Sequence, residues 1–200
     1  MKGLIYSGKI RGIRQRCGTN FENIIKSIQN GTISNAECVM LIVDKANALV
    51  IERAERLRIP YTVVLPKEYE NKEAYEQEVL RILQASHAEL IVLAGYMRII
   101  TKVLLNAYPK RIINLHPAYL PAFPGKQSIL DAFEAGVSET GVTVHYIDEG
   151  IDTGEIIRQE KVMIDSSWSL STLEEHIHAL EYQLFPEVIA YVCGQIEKRG

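Results

Sequence analysis

The sequence predicts an α/β fold, a mostly parallel central sheet flanked by helices with an antiparallel C-terminal portion. Three observations carry this. Short apolar runs alternate with amphipathic stretches, the pattern of βαβ units. Residues 38–43 (CVMLIV) and 90–94 (LIVLA) are apolar without a break, as strands buried on both faces must be. From Thr140 the period changes to two, with Val142, Val144 and Tyr146 alternating with Thr143, His145 and Ile147.

The elements follow in order. After the strand at residues 38–43, residues 46–57 read as a helix and 61–65 as a strand. Asn71 is placed to cap a helix running to Ser86, with Tyr75, Val79, Ile82 and Leu83 on one face. The strand at 90–94 ends at Gly95-Tyr96-Met97-Arg98. A short helix near residues 102–107 leads into a strand at 111–115, which delivers His116. Residues 128–135 read as a helix stopped by Gly136. The two-faced strand after Thr140 is partnered, across the polar turn 148–154, by residues 155–164. Residues 169–193 close the chain as helix, with Pro186 expected to kink or break it. No repeat, low-complexity stretch or linker intervenes, so residues 1–200 are expected to form one domain.

Two hundred residues suffice to bury a full sheet between helix layers. A formal net charge of −3 offers no global attraction to nucleic acid or an anionic membrane, and the basic cluster at residues 9–16 is the local exception. Cys17, Cys38 and Cys193 are widely spaced and odd in number, which reads as reduced thiols rather than a disulfide framework or a zinc site. No apolar run approaches the ~20 residues of a membrane span, and no signal-peptide pattern opens the chain. A soluble cytoplasmic enzyme acting on small molecules is the expectation.

The chemistry concentrates at Asn114-Leu115-His116-Pro117. Asn114 and His116 are two apart, so on an extended strand end their side chains point the same way. Pro117 rules out a regular helix here and favours an extended His116. Ligands in open α/β sheets bind beyond the carboxyl ends of the strands, where His116 and residues 95–100 both fall. Asp152, 36 residues after His116, sits in the polar turn. An amide, an imidazole and a carboxylate suit acyl transfer to an amine. The amide donates to an oxyanion, the imidazole relays a proton, and the carboxylate raises the imidazole's pKa. Each residue alone has a plainer explanation: a structural histidine before proline, a strand-end Asn bonded to loop backbone, an Asp that forms a turn.

The wider string tips that balance. Ile113-Asn114-Leu115-His116-Pro117-Ala118-Tyr119-Leu120-Pro121-Ala122-Phe123-Pro124-Gly125 resembles the signature of the glycinamide ribonucleotide formyltransferases, folate-dependent enzymes of purine synthesis. Further resemblances follow in order: Ala94-Gly95-Tyr96-Met97-Arg98-Ile99, Gly141-Val142-Thr143-Val144-His145, and Asp148-Glu149-Gly150-Ile151-Asp152-Thr153-Gly154. The resemblance runs from Gly18 to the C-terminal helix. It implies a formyltransferase fold on a Rossmann-like sheet. It also implies direct transfer of the formyl group of 10-formyltetrahydrofolate to the amine of glycinamide ribonucleotide, with no covalent enzyme intermediate and no metal.

By the same resemblance Asn114, His116 and Asp152 are catalytic. The formyl folate falls to Lys72, Met97, Arg98, Ile99, Ile100, Asn114 and the loop Asp148, Glu149, Gly150, Ile151 and Asp152. The amine substrate falls to the phosphate loop Gly18, Thr19 and Asn20, and to His178, Ala179, Leu180 and Glu181. On their own, Gly-Thr-Asn also describes an ordinary helix cap and Glu181 a solvent-facing residue. His145 reads as a satisfied structural histidine, His176 as exposed, and His87 as a helix-end residue. A monomer or homodimer is expected. Methionyl-tRNA formyltransferase and formyltetrahydrofolate hydrolase look similar but carry an additional domain, and a non-catalytic folate- or nucleotide-binding relative is the rival from another class.

Two departures stand out. Relatives begin with an apolar strand that runs straight into the phosphate loop, whereas residues 9–17 here are KIRGIRQRC. Three arginines and a glutamine do not suit a central strand buried on both faces. Either residues 3–6 are the strand and 9–17 an insertion, or the segment is a shifted reading frame. One legal codon spelling of Arg11 to Arg16, read one base later, encodes Ala-Val-Phe-Ala-Ser-Gly, the missing strand. The smaller departure is Gln127, where relatives often place His.

Overall fold

The computed structural model describes residues 2–7 by their backbone, and residues 18–96 and 98–198 in full. Seven strands form one sheet: β1 (Lys2–Ser7), β2 (Glu37–Val43), β3 (Tyr61–Val63), β4 (Leu90–Leu93), β5 (Ile112–His116), β6 (Glu139–Tyr146) and β7 (Ile156–Met163). Their order is β3-β2-β1-β4-β5-β6-β7. The first five are mutually parallel, β6 runs antiparallel to β5, and β7 antiparallel to β6. The predicted change of period after Thr140 marks this switch. The central position is filled by Lys2–Ser7, paired with β2 and β4. The basic segment over which the two readings of the N-terminus differ lies outside the described residues.

Helices α1 (Thr19–Gln29), α2 (Val50–Leu57), α5 (Ser128–Glu134) and α6 (Leu170–Glu197) contribute to the hydrophobic core on one face of the sheet, and α3 (Lys72–Ala85) and α4 (Lys102–Ala107) to that on the other. Strand periodicity sorts the side chains between these cores. Leu41 and Val43 go to the first and Ile42 to the second, and Leu90 and Val92 part from Ile91 and Leu93 in the same way. This is why those runs carry no polar residue.

Asn71 caps α3 through the Ala74 N–H at 2.8 Å, as its sequence position predicts. The buried Glu76 accepts from both the N–H and the hydroxyl of Thr101, the cap of α4. A fully enclosed carboxylate thus anchors the chain just after residues 95–100, at the mouth of the site.

Two expectations are corrected. The helix expected over 46–57 starts only at Val50, because residues 47–49 stay at the strand end and wall the central cavity. Of the kink or break expected at Pro186, the break does not occur, since α6 runs unbroken from Leu170 to Glu197. A proline cannot donate to the carbonyl four residues earlier, that of Tyr182. Asn23 of α1 supplies the missing donor, its Nδ2 lying 2.9 Å from the Tyr182 oxygen.

Candidate active site

The C-terminal ends of β4 and β5 open into a cavity of about 690 Å³, within the range of small-molecule sites. Asn114 and His116 project from β5 on one face, and the β5–β6 register sets His145 opposite Asn114 and Thr143 opposite His116. The 148–154 turn returns Asp152 to the same place, its backbone left-handed at φ 54°. Gly154 makes that turn possible, since a Cβ there would run into the Tyr146 carbonyl.

His116 is 3% exposed and both ring nitrogens are engaged. Its Nε2–H donates to the Phe123 carbonyl at 2.9 Å, so when the ring is neutral the lone pair lies on Nδ1. Nδ1 stands 3.5 Å from Asp152 Oδ2, which also accepts the Gly125 N–H at 2.8 Å. Burial lowers the His116 pKa, and this outweighs the raising influence of Asp152 and of the Phe123 carbonyl. The expected net elevation by Asp152 is therefore reversed: the carboxylate acts in the predicted direction, but enclosure wins. For Asp152, burial pushes the pKa up, yet His145, His116 and the Gly125 amide together hold it below the usual value.

His145, read from the sequence as structural, belongs to this group. It is fully buried, its Nδ1–H donates to the Tyr146 carbonyl at 2.8 Å, and its Nε2 lies 3.3 Å from Asn114 Nδ2 and 3.6 Å from Asp152 Oδ1. At 3.3 Å one Asn114 amide hydrogen is within reach of His145 Nε2, and the other points elsewhere. Only strand register brings His145 to Asn114. The sole sequence signal was its place in the Gly141-to-His145 resemblance.

Elsewhere on the cavity wall, Gly18, Thr19 and Asn20 form the start of α1. Gly18 has φ 87°, and a Cβ there would meet Val50 at 2.8 Å, so both conformation and space require glycine. Asn20 Nδ2 donates to Glu181 Oε2 at 3.0 Å, and His178 Nδ1 sits 2.9 Å from the same oxygen. Asn20 Oδ1 is buried and has no hydrogen-bond partner among the described residues. Helical spacing sets His178 and Glu181 on the wall, while Ala179 is exposed and Leu180 packs on the core.

The remaining wall is mixed. Lys72, Arg98, Ile99, Ile100, Gly150 and Ile151 all line it. Ile99 and Ile151 are 48% and 58% exposed, large apolar surfaces left open to the cavity. Arg98 is held by Asp44 at 3.1 Å. Asp148 works inside its own turn, accepting from the Gly150 N–H and the Thr153 hydroxyl, and the exposed Glu149 pairs with Lys102. Met97 lies outside the described residues. Asn47, Leu49, Lys126, Gln127 and Glu174 also line the cavity. Of these only Gln127 was singled out beforehand.

Comparison with known proteins agrees along most of the chain. The Formyl transferase family matches residues 12–189. A phosphoribosylglycinamide formyltransferase of Bacillus subtilis (strain 168) is 48% identical over 183 residues, covering 92% of this chain and 93% of that protein. A trifunctional purine biosynthetic protein adenosine-3 of Drosophila pseudoobscura pseudoobscura is 39% identical over 91% of this chain, which spans 13% of that much longer protein. Among solved structures, a phosphoribosylglycinamide formyltransferase from Bacillus halodurans superposes with a TM-score of 0.89 at 43% identity, over 96% of this chain and 95% of that one. A glycinamide ribonucleotide transformylase from Geobacillus kaustophilus gives 0.89 at 44%, over 96% and 98%.

Proposed function

The chain belongs to the formyl transferase family, an enzyme that formylates glycinamide ribonucleotide in purine biosynthesis, and we propose that 10-formyltetrahydrofolate is its donor and that Asn114, His116 and Asp152 carry the transfer. The convergence of these three side chains at one end of a single cavity is the observation that supports this most.

The donor's flat heteroaromatic ring suits the walls formed by Ile99, Ile100 and Ile151, with Lys72 and Arg98 on the same wall to receive anionic parts of the molecule. The phosphate of the amine substrate suits the N–H groups at the start of α1. Glu181, held by Asn20 and His178, offers its carboxylate to the amine or hydroxyls of that substrate.

Chemistry follows from the lowered His116 pKa. Neutral in the enclosed site, His116 takes the proton of the attacking amine on Nδ1 as the new C–N bond forms. The imidazolium so created faces Asp152, whose carboxylate favours it, and returns the proton to the departing folate nitrogen as the old C–N bond breaks. The Asn114 amide hydrogen not used by His145 donates to the oxyanion of the tetrahedral intermediate. Asp152 thus acts on the charged intermediate rather than by keeping the resting histidine protonated.

Residues 1–200 are read as one formyltransferase domain, cytoplasmic by its reduced thiols and monomeric or homodimeric. Among the described residues no helix is long and apolar enough to cross a membrane. Single-turnover mixing with 10-formyltetrahydrofolate and glycinamide ribonucleotide tests the reading. Formylated ribonucleotide is the expected product. Formate alone would indicate a hydrolase, and intact folate binding without either product would indicate a non-catalytic relative.

A further inference from the structure

His116, Thr143 and Gln159 lie in register across three adjacent strands, β5, β6 and β7. Thr143 is fully buried, and its hydroxyl is saturated. It donates to the Ala118 carbonyl at 2.7 Å and accepts from the Leu120 N–H at 3.1 Å and from Gln159 Nε2 at 3.0 Å. Gln159 spends its second amide hydrogen on the Leu120 carbonyl at 2.7 Å. Two side chains thus satisfy three backbone groups of the loop that follows His116.

That loop determines what His116 can do. Its far end presents the Phe123 carbonyl to His116 Nε2, from a residue in the left-handed region at φ 52°, and the Gly125 N–H to Asp152. Phe123 fixes which ring nitrogen bears hydrogen in the neutral imidazole, and Gly125 orients the carboxylate that meets the other. The Phe123 carbonyl is not held by its own sequence, since a left-handed non-glycine persists only where surrounding contacts impose it.

We propose that Thr143 and Gln159 are positioning residues for His116, acting through the loop to lock the Nε2–H tautomer and keep Nδ1 on the Asp152 side of the site. This rests on the reading of His116 as the proton carrier. Neither residue touches that ring by a hydrogen bond, and Gln159 comes from the edge strand. Their effect is the kind exerted by outer partners of an oriented imidazole, whose removal typically costs ~10–100-fold in activity.

The test compares Thr143→Val, Thr143→Ser and Gln159→Leu in the full chain. Each is measured for kcat, for KM of both substrates, for the pH profile of kcat, and for the His116 tautomer by ¹⁵N NMR. Thr143→Val and Gln159→Leu are expected to lose ~10–100-fold in kcat with KM changed less than about threefold, and to show mixed tautomers. Thr143→Ser, which keeps the hydroxyl, should restore the Nε2–H form and most of kcat. Folded Thr143→Val or Gln159→Leu with wild-type kcat and an unmixed tautomer overturns the proposal, as does a change confined to KM. If Thr143→Val fails to fold, Gln159→Leu and Thr143→Ser decide alone. Full activity in His116→Ala would instead overturn the underlying role of His116, so the two failures are distinguishable.

Discussion

The helix that continues through Pro186 offers a quantitative test of how this fold is held. Asn23→Leu removes the donor that Asn23 Nδ2 supplies to the Tyr182 carbonyl at 2.9 Å, in a helix turn where Pro186 has no N–H to give. The Tyr182 carbonyl is part-buried, and leaving such an acceptor unpaired costs at most the ~1–3 kcal/mol of a buried one. For a protein of this size 1 kcal/mol shifts Tm by ~2–4 °C, so a loss of up to roughly 12 °C is expected. The decisive measurement is a double-mutant cycle with Pro186→Ala, read by thermal and urea unfolding. Alanine restores the backbone N–H, which can then donate to Tyr182, so Asn23→Leu should cost less than about 0.5 kcal/mol in that background. An equal cost in both backgrounds would refute the reasoning, because the Asn23 contribution would then be packing rather than a replacement hydrogen bond. The same contact ties α1 to α6, and thereby Asn20 to Glu181. A rise in KM for the amine substrate should accompany the single variant and not the double one.

Asn114→Ala is expected to lower kcat by ~10²–10³-fold while equilibrium binding of the folate, followed by fluorescence, stays within a few-fold of wild type. Asp152→Asn removes the influence that raises the His116 pKa, so the acid limb of the kcat profile should move to lower pH, with a reduced plateau; an unmoved limb would sink the pairing. Both His116 and Asp152 have folded pKa values below their unfolded ones, so each contributes stability that is present above its unfolded pKa and lost as pH falls through the folded value. Urea unfolding should show the His116 part of that decline as pH falls below about 6.5, made shallower by His116→Gln, and the Asp152 part only below about 4. Gly18→Ala combines a left-handed backbone cost of ~1–2 kcal/mol with a Cβ pressed to 2.8 Å from Val50, and should raise KM for the amine substrate more than for the folate.

Much of the fold is legible in the residues. Unbroken apolar runs mark β2 and β4, because a parallel strand covered on both faces has no use for polar side chains. Asn71 announces α3, since a short polar side chain before an amphipathic stretch satisfies orphan N–H groups. At the site, the two-residue spacing of Asn114 and His116 predicts their common face, and β5 delivers it. Ala179 and Leu180 show the limit of reading by segment: a helix presents every third or fourth residue to a wall, so only His178 and Glu181 of that stretch arrive.

What the sequence determined by itself is therefore local and periodic: which runs are strands, where helices begin, and which residue types carry the chemistry. Tertiary structure decided whatever depends on partners distant in the chain. It brought His145 to Asn114 through strand register, lowered the His116 pKa by enclosing the ring, and let α6 continue through Pro186 by lending it a donor from Asn23. Desolvation and hydrogen bonding across a sheet or between helices depend on what surrounds a group, and no pattern within a segment encodes those surroundings.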